Sequence, residues 1–466
     1  MTALHTWCGL MLGWLLYAIF ITGTASYYRP EITQWMQPEL RPHRAEPAVL
    51  MDRALNEIRR QAPDATTIYV RFPNDRDAGL HLNWQTPDGA RVVRVVDAET
   101  ARIEARDSRG GEFFYRFHFQ LQLPYPWGRY IASLAAAFML VALFTGIVAH
   151  RQFFKDFFTF RPAKPGTRSW LDVHNLSGVI ALPFYFMIAY SAQVIFVDLL
   201  TPWARLATEP PVVEAAAQPV TPPDSGAAAA AATGAPGENT PAVDTGSPGI
   251  PPLPVEAMMK AYHDRHGNRM LGSLYATGLG TERGTVTIMP WADGKIPYEP
   301  RNALVFSAQD GTLQGAPPGA PGLFTKIHDT FYGLHIARFA GPFLRGLFFF
   351  LGLLGSVLVG TGLVMWTIKR RKRHESRRGA GKADPGYWLV ERLNVATLVG
   401  FPVALAAMLW ANRLLPYDLP HRGDREVHVV FTVWALCFVH ACLRPARRAW
   451  VEQLGCAAML FTLLPF

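Results

Sequence analysis

Five stretches of this chain run for twenty residues or more without Asp, Glu, Lys or Arg: Ala3–Tyr28, Tyr130–Ala149, Val173–Val197, Gly346–Ile368 and Leu393–Asn412. A bilayer core takes about 20 apolar residues per helix. These runs constrain the chain to an α-helical integral membrane protein before any motif is considered. Two shorter runs follow, Val427–Leu443 and Gln453–Phe466. The first reads as a further span, and the second spans only if Glu452 snorkels at the interface. The expectation is six to seven transmembrane helices. The first has no Lys or Arg ahead of its apolar run, which is also long for a signal peptide, so it is expected to be retained.

The net charge of +9 is not a nucleic-acid signature, because the bases cluster beside helix ends. Arg151, Lys155, Arg161, Lys164 and Arg168 follow the second apolar run. Residues 369–373 (KRRKR) with Arg377 and Arg378 follow the fourth, and Arg444, Arg447 and Arg448 follow the sixth. All three clusters fall on one side if the N-terminus is cytoplasmic, as the positive-inside rule requires. Segments 28–129, 198–344 and 413–426 then lie outside.

The chain also repeats itself, which is the pattern to seek first. His5 and His174 each open an apolar run. Each has Gly four residues on (Gly9, Gly178) and a small pair at plus 17 and plus 18 (Thr22-Gly23, Ser191-Ala192). His118 leads through Gly128-Arg129 to Thr145-Gly146, and His335 leads through Arg345-Gly346 to Thr361-Gly362. The core therefore reads as a duplicated four-helix unit. The His-to-His spacing differs between the halves by 48 residues, and the 46-residue Ala-, Pro-, Gly- and Thr-rich stretch 207–252 accounts for the excess. That composition reads as a linker.

Each half carries a polar α+β module. In the first, residues 48–60 read as a helix and 66–72, 81–84, 91–96 and 101–105 as strands. In the second, 255–266 read as a helix and 273–277, 284–290 and 302–307 as strands. The expected order is helix one (1–28), a first module (29–129), helix two (130–150), an inner loop (151–172), helix three (173–200), the linker (201–253), a second module (254–343), helix four (344–368), a basic loop (369–387) and C-terminal helices five to seven (388–466).

Ionisable residues at membrane depth mark function by default. A neutral imidazole with one free nitrogen is an axial ligand for iron. The topology puts His5 and His174 at the inner face and His118 and His335 at the outer face. Two copies about an axis along the membrane normal would bring like to like, one bis-His haem near each face. A single His at a helix end is ordinarily a cap or an interfacial residue; matched positions in two copies weigh against that here. His150, at the inner end of helix two, is an alternative inner ligand. His328, seven residues before His335, reads as an interfacial His, with a second-rank ligand or substrate-side group as the alternative. His428 and His440 lie about 18 Å apart along one helix and read as structural. Arg129 and Arg345 are either plain interfacial anchors or candidate partners for haem propionates, since a guanidinium meets a carboxylate in a bidentate fork.

Other machinery is missing. Residues 278–284 (GLGTERG) match a dinucleotide loop poorly, and no Walker A, HExxH or GxSxG motif occurs. Cys8, Cys437, Cys442 and Cys456 show no metal or disulfide spacing. Electrons would have to come from a donor, a membrane quinol or a cytoplasmic flavoprotein. Neither broken helices nor midplane charges of the transporter kind are expected.

His5 with Gly9 and Thr22-Gly23, His118 through Gly128-Arg129 to Thr145-Gly146, and Leu334-His335 through Arg345 to Thr361-Gly362 resemble the PepSY-associated transmembrane helix family, over about residues 1–375. The two outer modules look like its PepSY units. The resemblance implies b-type haem held by His5, His118, His174 and His335. It also implies reduction of a periplasmic Fe(III)-siderophore, as in inner-membrane reductases of the ferrioxamine-reductase type. The chain departs from the pattern at Ser191-Ala192, where the family has Thr-Gly, and in its C-terminal helices. Non-enzymatic binding of a periplasmic peptide or protein, and transport associated with iron uptake, are the competing expectations.

Overall fold

The computed structural model describes residues 1–464 apart from 42–44, 66, 87–88, 90, 102–104, 150–166, 202–249, 251, 292–293, 297–301, 315–321 and 380–383. His150, most of the expected linker and most of the expected strand 101–105 lie outside the described residues. In chain order the elements are α1 (Thr2–Ser26), α2 (Arg29–Met36), α3 (Pro47–Gln61), β1 (Thr67–Arg71), β2 (Gly79–Gln85), β3 (Arg91–Asp97), α4 (Gly110–Gln120) and α5 (Trp127–Ala149). Next come α6 (Thr167–Ile180), α7 (Leu182–Ile195), α8 (Val197–Leu200), α9 (Val255–His266), β4 (Leu271–Thr277), β5 (Thr285–Pro290), β6 (Leu304–Ser307), β7 (Leu313–Gln314) and α10 (Leu323–Ile336). The chain ends with α11 (Pro342–Gly379), α12 (Pro385–Leu398), α13 (Gly400–Leu414), α14 (Arg422–Leu443) and α15 (Ala446–Thr462).

These elements fall into two units. The helical unit takes Met1–Arg29, Asp107–Pro202 and Leu334–Phe466; the sheet unit takes Pro30–Arg106 and Trp203–Gly333. Among the described residues of the helical unit, five helices are long and apolar enough to cross a membrane: Thr2–Ser26, Trp127–Ala149, Pro342–Arg371, Pro385–Leu414 and Arg422–Leu443. A sixth is added if α6 and α7 count as one span. The chain is a membrane protein, with five or six candidate spans among its described residues. The expected seventh is not among these candidates: the 17 residues of α15 include Arg447, Arg448 and Glu452. Ile131, Leu134, Val141, Phe144 and Val148 of α5 are exposed although apolar, the pattern of a face that meets lipid. The opposite face buries Ala135, Met139 and Leu143 with Leu16, Phe20, Tyr185 and Leu358. Small residues bring the backbones close: Gly355 receives the Phe20 ring and Gly13 receives Leu363.

The third span differs from expectation. It is bent by 68° between Ile180 and Leu182. Pro183 opens α7, and its ring and missing N–H break the helix there. The expectation of unbroken helices is corrected at this one place. The carbonyl side of the break is satisfied by Tyr185, whose hydroxyl donates to the Ser177 carbonyl at 3.1 Å.

In the sheet unit, the strands of both polar segments join in one antiparallel sheet of order β3-β2-β1-β4-β5-β6-β7. The seam is the β1–β4 pair, with Thr67 opposite Thr277 and Arg71 opposite Ser273. A single core holds Leu55 and Ile58 of α3, Met258 and Tyr262 of α9, and Ile68, Val70, Leu274 and Ile288 of the sheet. The two segments thus share one sheet and one core. The segments are also shorter than expected: residues 107–129 and 334–343 belong to the helical unit. Phe113, Phe114 and Phe117 of α4 are buried, which draws that amphipathic helix out of the sheet unit.

Candidate functional site

The four repeated histidines come together in two pairs within the helical unit. The His5 and His174 ring centroids are 6.3 Å apart with planes at 80°. Those of His118 and His335 are 5.9 Å apart at 39°. All four side chains are partly buried.

Each imidazole is anchored through Nδ1. His5 Nδ1 lies 2.9 Å from the Ala142 carbonyl, His118 Nδ1 2.9 Å from the Ile19 carbonyl, and His174 Nδ1 2.9 Å from the Leu358 carbonyl. His335 Nδ1 lies 2.7 Å from Ser191 Oγ, with the Ile188 carbonyl as a further partner. A carbonyl only accepts, so Nδ1 carries the proton and donates. That leaves Nε2 with its lone pair, the tautomer of a metal-ligating His held by an outer hydrogen bond.

The anchoring follows one rule. Every acceptor carbonyl lies three residues before a hydroxyl of a small pair: Ile19 before Thr22, Ala142 before Thr145, Ile188 before Ser191, Leu358 before Thr361. The hydroxyl folds back onto that carbonyl, at 3.3 Å for Thr22, 3.2 Å for Thr145, 3.1 Å for Ser191 and 2.9 Å for Thr361. The next residue makes room for the ring. A Cβ on Gly23 would collide with His118, on Gly146 it would come 3.2 Å from His5, and on Gly362 3.4 Å from His174. The repeated pairs are cradles for imidazoles. Ser191-Ala192 keeps the hydroxyl that this function needs. The sequence displays the pairs, but not that each serves a His on a different helix.

The partners interlace. His5 leans on α5 and His118 on α1; His174 leans on α11 and His335 on α7. The ring pairs join the first half of the chain to the second. His5 and Ile19 are 14 residues apart on α1, so the two pairs are separated along the helix by roughly 21 Å. His174 and Ile188 are also 14 residues apart, but the 68° bend at Pro183 lies between them.

The other candidates are placed as follows. Arg129 is buried, 4.9 Å over the Tyr125 ring and 5.4 Å over Phe119. Arg345 donates to the Ala340 carbonyl at 2.9 Å. His328 belongs to the sheet unit, where it stacks on Tyr332 and meets Asp329 at 3.1 Å. His440 bonds Glu452 at 2.8 Å. Cys8, Cys437, Cys442 and Cys456 are free thiols.

The paired histidines and their cradles all lie within residues 2–369, the part of the chain that matches the family model described as the PepSY-associated TM region. The chain belongs to this family. Residues beyond 369, from the end of α11 to α15, extend past the matched region. A curated relative, an uncharacterized protein of Pseudomonas aeruginosa, is 23% identical over 341 residues, which cover 72% of this chain and 80% of that protein.

Proposed function

We propose that this member of the PepSY-associated TM region family is a haem b oxidoreductase of the bacterial inner membrane, its core a duplicated helical unit. In this reading it carries electrons outward to a periplasmic Fe(III)-siderophore. The observation that carries the reading is the pairing of four Nδ1-anchored imidazoles at 6.3 and 5.9 Å. Rings this close, each held through Nδ1, would let the two Nε2 atoms of a pair serve one metal centre. The donor set fits haem iron. His5 with His174 would hold one haem and His118 with His335 the other, and bound haem supplies one-electron transfer.

The chain's own residues fix the geometry. The Ala142, Ile19 and Leu358 carbonyls and Ser191 hold each ring in one tautomer and raise its basicity. The cradle glycines let rings reach the helix backbone. Arg129 and Arg345 supply cationic partners for propionates near the outer pair. A separation of roughly 21 Å fits inside a hydrocarbon core of about 30 Å, so both stations belong to one membrane crossing. Fe(II) binds siderophores weakly, so one-electron reduction releases the metal without a general acid. The donor is a quinol or a cytoplasmic flavoprotein acting at the His5–His174 end, the cytoplasmic end in this topology.

The break at Pro183 is the one feature that favours a transporter. Against that reading, Val173–Val197 contains no charged residue for a substrate to meet. The test is the reduced-minus-oxidised spectrum of the purified protein, together with ferric-siderophore-dependent oxidation of the reduced form. A b-type spectrum reoxidised by the ferric complex is expected. A colourless protein from haem-sufficient cells contradicts the reading.

A further inference from the structure

The helices beyond the family-matched region have no part in the scheme above, yet they grip the helix that carries His118. Among the described residues of the helical unit, three polar side chains from this extension are fully buried: Asn412 at the end of α13, and Arg422 and Glu426 at the start of α14. Glu426 Oε1 accepts from Arg422 at 2.6 Å and from Asn412 at 2.7 Å. Its other oxygen turns toward the chain just before α4. It accepts from the Ser108 hydroxyl at 2.8 Å and from the Arg109 backbone N–H at 3.2 Å. Arg422 donates to the Asp107 carbonyl at 3.2 Å, and Gly423 N–H to the Asp107 carboxylate at 3.1 Å. Arg109 pairs with Asp424.

Helix N-termini carry orphan N–H groups that a side chain must satisfy. The Ncap residue of α4, Arg109, supplies no side-chain cap. Glu426 supplies one from another helix, with a negative charge at the positive end of the α4 dipole. Gly423 permits the approach, since a Cβ there would come 3.1 Å from Asp107 Oδ1 and 3.2 Å from Arg109 N. The far end of α4 is held as well. Phe117, next to His118, lies 5.2 Å from Phe401 and 6.3 Å from both Phe431 and Trp434. The extension thus grips α4 at its first residues and beside its histidine.

We infer that Glu426, Arg422 and Asn412 are positioning residues for His118, and that the C-terminal helices serve as a clamp that sets the outer histidine pair. The His5–His174 pair lies roughly 21 Å along α1 from the outer pair, so it stands as an internal control. This inference rests on the haem reading for its spectroscopic arm and on helix docking alone for its second arm.

The test uses the full chain purified in detergent, as wild type, Glu426→Ala and the milder Ser108→Ala. Haem content and potentiometric titration report the two pairs, and hydrogen exchange of residues 110–120 reports the clamp without haem. Glu426→Ala is expected to remove or shift one of the two redox components and leave the other in place. Exchange of 110–120 should become roughly tenfold faster, while α1 and α5 stay protected. Ser108→Ala should move the same component by less. Unchanged titrations with unchanged exchange overturn the inference. So does equal loss of both components with exchange raised throughout the helical unit. If the wild type holds no haem, the functional reading fails while exchange of 110–120 still decides the clamp. Should Glu426→Ala not accumulate, Ser108→Ala decides by the same two outcomes.

Discussion

His118 lies directly against Gly23. The ring occupies the place that a Cβ at residue 23 would take, and from there its Nδ1 reaches the Ile19 carbonyl. The other cradles are looser. The nearest ring atom would be 3.2 Å from a Cβ at Gly146 and 3.4 Å at Gly362. The account therefore predicts a graded series. Gly23→Ala displaces His118 and abolishes the outer haem. Gly146→Ala weakens the inner one, and Gly362→Ala is nearly silent. Haem per polypeptide in the three variants checks the order.

Ser191 is the one cradle residue that departs from Thr, and it makes the shortest of the four anchoring contacts, 2.7 Å to His335. Loss of an outer partner to a metal-ligating His costs about 10–100-fold in affinity. Ser191→Ala should lower haem retention at the outer pair by that order, and Ser191→Thr should preserve it. Haem loss to apomyoglobin measures both.

Arg422 and Glu426 form a fully buried ion pair. Removing one partner of such a pair costs about 3–5 kcal/mol, whereas replacing both with apolar residues costs far less. Glu426→Leu alone should lower the thermal midpoint more than Arg422→Met with Glu426→Leu together. A double variant that unfolds as easily as the worse single variant would contradict the compensation. The outer-pair geometry should suffer in both, because the carboxylate cap of α4 is gone in each.

In the sheet unit, Asp77 is buried, with His81 at 3.0 Å and Arg71 at 2.7 Å. Burial alone would raise its carboxyl, but the neighbouring His81 and Arg71 hold it well below the usual carboxylate range. A depressed folded value means stabilisation that is full above the unfolded pKa of about 3.9 and is lost as pH falls below it. Acid titration of the wild type should show sheet structure failing below about pH 4. Asp77→Asn should be less stable at neutral pH and should lack that contribution to the acid transition. Far-UV circular dichroism of the full chain follows both.

Much of this was legible in the sequence, because charge-free runs and a repeated His are local signals. The four ligand candidates and their pairing came from matched spacing and topology. The cradle function of the Thr-Gly pairs did not, since it depends on a carbonyl three residues earlier facing another helix. The single sheet was hidden because β1 and β4 pair across about two hundred residues of chain. The bend at Pro183 had a local signal, a Pro inside an apolar run, but a reading by charge-free length alone passes over it. The role of Glu426 was invisible because a Glu beside an apolar run reads as a helix-end charge until its partners at 107–109 are known.

The most direct test of the central claim is haem stoichiometry by pyridine haemochrome in the wild type and in His5→Ala, His174→Ala, His118→Ala and His335→Ala. The account predicts two b-type haems in the wild type and one in each variant. His5→Ala and His174→Ala should lose the same redox component, and His118→Ala and His335→Ala the other. A wild type without haem, or variants that lose components in a different pairing, would contradict it.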